Sequence, residues 1–230
     1  MKSLPSHVEE RFFRTMKGDI TVHDFEQWLY SEKEIEHILN CDDYFQLISL
    51  NYKTAGAKYD LWKVLSRHVD LAKYETFKLL VLLEEARLRT PQLPCLLESF
   101  YDLYCCGYSF LEDLGLRYGL VVSSPMIVGG THDDWEKLSI AEQQRILAEF
   151  YPGLDRVLER MIAWLREGTI VLTGDTDEIG HYGFVDNRTI EQRRSAFPDG
   201  SSKGSGNARP IKSEYFSKEP SPRNWWRFWR

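Results

Sequence analysis

Two stretches of this 230-residue chain gather side chains that could hold a metal or move a proton. In the first, His132, Asp133 and Asp134 follow Gly129-Gly130. A histidine with two carboxylates offers ligands for a divalent metal or an acid–base pair. The same residues suit a loop before a helix, with Asp133 or Asp134 as N-cap ahead of Trp135, and that reading is favoured. In the second, Asp175, Asp177, Gly180 and Asp186 fall at positions 1, 3, 6 and 12 of a calcium loop counted from Asp175, with His181 beside them. Position 5 is Ile179, which has no side-chain oxygen, and position 12 lacks the usual bidentate Glu. A polar hairpin turn is the better account. Cys105 and Cys106 are adjacent in an apolar stretch, and with Cys41 and Cys95 they read as buried free thiols of a reducing compartment. His7, His23, His37 and His68 lie on predicted helices and read as surface or half-buried residues. There is no Gly-rich phosphate loop, Gly-x-Ser-x-Gly elbow, His-Glu-x-x-His or Cys-x-x-Cys. The expectation is therefore a chain with no catalytic residue, no metal and no cofactor.

The elements that would position such groups are mostly helical. Ser6-x-x-Glu9, Ser31-x-x-Glu34 and Ser139-x-x-Glu142 have the spacing of capping boxes. Ser6 is expected to open a helix carrying Val8, Phe12, Phe13 and Met16, stopped by Gly18. A second helix is expected over Val22 to Tyr30, with Phe25, Trp28 and Leu29 on one side. Ser31 then opens Ile35, Ile38 and Leu39, and Asp42 caps Tyr44, Phe45, Leu47 and Ile48. Longer helices are read over Tyr59 to Val69 and from an Asp70 cap to about Arg89, ended by Thr90-Pro91 and Pro94. Cys95 to Tyr118 contains Gly107 and Gly115 and should kink or divide. Leu120–Val122 and Met126–Val128 could be short extended pieces. The clearest 3-and-4 periodicity runs from Ser139 to Glu167, with a bend at Pro152 and Gly168 as C-terminal cap. Thr169–Leu172 and His181–Val185 could pair as a hairpin. The fold class is thus mainly α: a single compact helical domain over residues 1–190, a small β-hairpin near 169–186, and a flexible tail.

Charge divides the chain at the same place. Residues 1–190 hold 20 Lys/Arg against 31 Asp/Glu, a net of −11, whereas residues 191–230 hold 9 against 4, a net of +5. An acidic body disfavours nucleic acid as its ligand and favours a basic protein. Within the body Glu26, Glu32, Glu34, Glu36, Asp42 and Asp43 are concentrated around one cation, Lys33, and form the candidate partner-binding residues. The tail passes through a Gly/Ser-rich linker and ends in Trp225-Trp226-Arg227-Phe228-Trp229-Arg230. Trp225, Trp226, Phe228 and Trp229 could dock on the body, touch a membrane interface or bind a partner. No apolar run approaches the roughly 20 residues of a membrane span, and the first ten residues lack a signal-peptide core, so a cytoplasmic protein is expected.

The stretch Phe25-Glu-Gln-Trp-Leu-Tyr-Ser-Glu-Lys-Glu-Ile-Glu-His-Ile-Leu, followed by Asp43-Tyr-Phe-Gln-Leu-Ile-Ser-Leu-Asn-Tyr-Lys, resembles the N-terminal segment of small helical bacterial immunity proteins of polymorphic and contact-dependent toxin systems. The resemblance covers roughly residues 10 to 85. It implies a non-catalytic protein that binds and neutralises a cognate toxin, often a basic nuclease, made by the same cell. Two other classes stand beside this one: a metal-dependent hydrolase using His132, Asp133, Asp134 or the Asp175–His181 loop, and an adaptor tethered by its Trp-rich tail.

Overall fold

A computed structural model describes residues 4–125 and 134–193. The described chain is mainly helical and falls into two compact units, one of residues 4–81 with 171–184, the other of residues 82–125, 134–170 and 185–193. No helix among the described residues is long and apolar enough to cross a membrane.

In the first unit, α1 (Ser6–Lys17), α2 (Val22–Ser31), α3 (Ile35–Ile38), α4 (Cys41–Ser49) and α5 (Ala57–Leu65) are short helices joined by tight links. Their apolar positions converge on Val8, Phe12, Phe25, Leu29, Ile35, Leu47, Leu61 and Leu65, all essentially removed from water. Each such side chain contributes about 1.5–3 kcal/mol of transfer free energy. Phe12, Phe25 and Trp28 meet with centroids 5.4 to 6.2 Å apart in tilted and edge-on geometries, as the ring quadrupoles favour. Gly18, at φ 96°, stops α1 and returns its N–H to the carbonyls of Arg14 and Thr15.

The helix starts differ from those expected. Ser6 lies inside α1, the N-cap position falls on Pro5, and no side chain caps it. Ser31 is the last residue of α2, and its hydroxyl donates back to the Trp28 carbonyl at 2.8 Å. A capping hydroxyl needs extended backbone just before the helix, and neither serine has it. Thr21 and Asn40 take that position instead, accepting from the N–H groups of Asp24 and Asp43. Asn40 thus does the work expected of Asp42. The Asp70 cap does form, with Oδ1 accepting from the Ala72 N–H at 2.9 Å at the start of α6 (Leu71–Arg87).

In the second unit, α7 (Leu93–Cys105) ends before Gly107, which turns the chain at φ 113°. A 3₁₀ turn at Ser109–Leu111, α8 (Glu112–Leu114), a π turn at Gly115–Gly119 and α9 (Leu120–Ser123) follow. Leu120–Val122 is therefore helical, not extended; Met126–Val128 lies outside the described residues. Gly115 and Gly119, four apart, let the π turn press against α7. A Cβ on Gly115 would stand 2.9 Å from Tyr104 Cβ, and one on Gly119 would stand 2.8 Å from Tyr101 Cβ. The Ser139 capping box forms in full, with both reciprocal bonds to Glu142. The single helix expected over 139–167 is two, α10 (Ile140–Glu149) and α11 (Gly153–Arg166). They part at Pro152, which has no N–H to donate and crowds the preceding turn. Gly168 follows α11 at φ 73°.

Strands β1 (Ile170–Thr176) and β2 (Tyr182–Asp186) pair as the expected hairpin. After it, Asp186 accepts from Arg188 Nε and Nη2, both at 2.9 Å, and the Arg188 guanidinium lies 4.8 Å from the Trp164 ring centroid. The last described element is α12 (Ile190–Arg193).

Candidate partner-binding surface

The acidic run from Glu26 to Asp43 is carried by α2, α3 and α4 of the first unit. Glu26 lies on the second turn of α2, Glu32 is its C-cap, Glu34 is the N-cap of α3, Glu36 is in the first turn of α3, and Asp42 and Asp43 are in the first turn of α4. Glu34, Glu36 and Asp42 are exposed, while Glu26 and Glu32 are half-buried. Glu34 lies 3.9 Å from His7 Nε2, and Glu26 lies 3.4 Å from His23 Nδ1.

Asp43 does not join this surface. It is only 7% exposed, and both carboxylate oxygens are engaged. Arg67 Nη1 donates to Oδ1 at 2.9 Å, Asn40 Nδ2 donates to Oδ2 at 2.6 Å, and His68 Nε2 stands 2.8 Å from Oδ2. Burial alone would push the Asp43 carboxyl up. The Asn40 hydrogen bond, the His68 charge and hydrogen bond and the Arg67 hydrogen bond outweigh it and hold the carboxyl below its ordinary value. A carboxylate oriented on a histidine is one component of an acid–base relay. Here the carboxylate is saturated, and the cluster ties the start of α4 to the turn after α5.

Two aromatic residues share the acidic face. Tyr30 is 58% exposed and Phe45 60% exposed. The expected stripe Tyr44, Phe45, Leu47 and Ile48 cannot all face inward on one helix. Leu47 is buried, Tyr44 and Ile48 are half-buried, and Phe45 is turned out. An adjacent Tyr-Phe pair holds that signal, because neighbours on a helix are about 100° apart.

The other candidates are placed as follows. His132 and Asp133, and the tail residues Trp225, Trp226, Phe228 and Trp229, lie outside the described residues. Asp134 occupies the N-cap position of a 3₁₀ turn, without a side-chain cap bond, and its carboxylate meets Lys137 Nζ at 2.7 Å. Asp177 closes the hairpin turn: Oδ1 accepts from the N–H groups of Ile179 at 3.0 Å and His181 at 2.7 Å. These backbone donors, the His181 N–H first, hold its carboxyl below the ordinary range. Asp175 is exposed at the end of β1, and His181 Nδ1 stands 3.4 Å from Asp177. Among the described residues no group of three or more His, Cys, Asp or Glu is placed to hold a metal ion. The cysteines reverse the expectation of burial, since all four are exposed free thiols. Cys105 and Cys106 lie where α7 runs out into Gly107, past the stretch that packs. Partial desolvation pushes both thiols above the ordinary cysteine value.

Comparison with protein families, with curated proteins and with solved structures returned no match to this chain.

Proposed function

We propose that this chain is a binding protein of the immunity type, which neutralises a cognate bacterial toxin in the cytoplasm by covering a basic surface of it. The observation that supports this reading is the exposure of Glu34, Glu36 and Asp42, with Glu26 and Glu32 half-exposed beside them, on one unit with Lys33 as the lone cation in that run. Among the described residues no cation pairs with Glu32, Glu36 or Asp42. Such a field attracts a basic protein over roughly 8 Å at physiological salt, and inhibition by coverage needs complementarity rather than a reactive group.

The test is rescue. The product of the gene adjacent to that of this chain is expressed in a susceptible host with and without it, and complex formation is measured with the purified proteins. Restored growth together with a stable complex is expected. A neighbouring product that is not toxic, or that is neither neutralised nor bound by this chain, overturns the reading.

A further inference from the structure

Tyr30 and Phe45 are the features of the acidic face that charge does not explain. Each lies on a helix whose inward positions are filled by other apolar residues, yet each leaves more than half its surface in water. The Tyr30 hydroxyl donates to the Ile48 carbonyl at 3.4 Å, which sets the ring against α4, and Phe45 stands one turn before Ile48 on that helix. Carboxylates flank both rings. Glu26 is four residues before Tyr30 on α2, and Asp42 is three before Phe45 on α4, spacings that share a helix face. Beneath them Tyr52 is buried, with its hydroxyl donating to the Leu47 carbonyl at 2.8 Å. Its phenol is pushed up by burial first and then by Tyr30 and Glu26.

An exposed ring beside a carboxylate matches one side chain better than any other. The arginine guanidinium stacks on a ring face and presents paired N–H donors to a carboxylate, whereas the lysine ammonium is a strongly hydrated point charge. Resting on the toxin-inhibitor reading, we infer that Tyr30, Phe45, Glu26 and Asp42 form a docking surface for arginine side chains of a basic protein partner. The rings supply the anchors that shed water, and the two carboxylates orient the guanidinium. Glu32, Glu34 and Glu36 act at longer range and set the rate of encounter. Aromatic anchors of this kind carry most of an interface's energy although they are few.

The experiment titrates the full chain with an eight-residue oligo-arginine and an oligo-lysine of equal length at about 0.15 M salt, read by calorimetry and by amide shifts in nuclear magnetic resonance. Oligo-arginine is expected to bind about tenfold more tightly, the size of a cation–π contact of roughly 1–2 kcal/mol. Its shifts should concentrate at residues 26–30 and 42–49. Tyr30→Ala and Phe45→Ala leave the charge unchanged and should abolish the preference; melting temperatures near that of the parent show that the variants fold. Equal affinity for the two peptides overturns the inference. So do shifts spread over every acidic segment, or a preference that survives both substitutions. Self-association that disappears in Phe45→Ala also overturns it, assigning the face to a second copy. The probe is a peptide, so this result and the growth rescue can fail independently.

Discussion

Asp43 and Lys78 are charged side chains drawn into the interior of the first unit, and each makes stability depend on pH with its own sign. The Asp43 carboxyl is held below its ordinary value of 3.8 in the folded protein. Below that value the unfolded chain binds the proton more readily. The stabilisation is therefore complete above about pH 5 and lost as pH falls through the folded value. Asp43→Ala is expected to cost about 1–3 kcal/mol at pH 7, because it strands the donors of Asn40 and Arg67. The difference from the parent should shrink towards pH 3, as read from urea midpoints. Lys78 is 7% exposed, paired with Glu75 at 2.8 Å and set over the Tyr74 ring at 4.6 Å. Burial lowers its value from 10.5 to about 8 against the opposing pull of Glu75. Between those limits the unfolded chain carries more protons, so this group makes stability rise from pH 8 to pH 10. Lys78→Met should flatten that rise. Above pH 10 the sign reverses, because Tyr52 and Tyr74 are kept protonated chiefly by burial while the unfolded tyrosines ionise. A stability profile that is flat from pH 8 to 10 in the parent would count against this account of Lys78.

At the scale of elements, the approach of α7 to the π turn in the second unit leaves no room for a Cβ at either of two glycines. A methyl at Gly119 would meet the Leu97 carbonyl and Tyr101, and one at Gly115 would meet Tyr104. Helix propensity alone would make Gly→Ala stabilising by about 1 kcal/mol. Overpacking is expected to win, with a net loss of about 1–3 kcal/mol for Gly119→Ala and less for Gly115→Ala, whose two nearest obstacles are Tyr104 side-chain atoms rather than backbone. Thermal denaturation of both variants checks the order. The caps give a second comparison. Ser139→Ala removes only a capping box and should cost about 0.5–2 kcal/mol. Asn40→Ala removes both the cap of α4 and a hydrogen bond to the buried Asp43, so it should cost more when the two are measured side by side.

For the whole molecule, the question is what a net charge of −11 over residues 1–190 does to encounter with a partner. If the proposed toxin is the partner, reversing Glu32, Glu34 and Glu36 to Lys should slow association with it and flatten its dependence on ionic strength, with a smaller change in dissociation. Stopped-flow mixing at two salt concentrations measures this; unchanged association at low salt would show that these three carboxylates do not steer. Folding should survive, at up to about 0.5 kcal/mol per substitution. Glu34 carries no added cost as a capping residue, because Ser31 closes α2 and does not open α3.

What the sequence determined by itself was local. The 3-and-4 spacing of apolar residues, the Asp70 and Ser139 caps and the hairpin near residues 169–186 all rest on interactions within a few residues, which spacing records directly; Pro152, read as a bend in one helix, instead divides α10 from α11. The tertiary structure decided what depends on distant partners. Asp43 turns inward because Arg67 and His68, 24 and 25 residues on, supply the charges that offset its burial. Phe45 turns outward because Leu47 on the same short helix takes the inward position. Cys105 and Cys106 stay in water because α7 runs out where Gly107 turns the chain. Ser6 and Ser31 fail as caps while Thr21 and Asn40 succeed, since a capping side chain needs extended backbone, and packing of each helix face sets where that backbone falls.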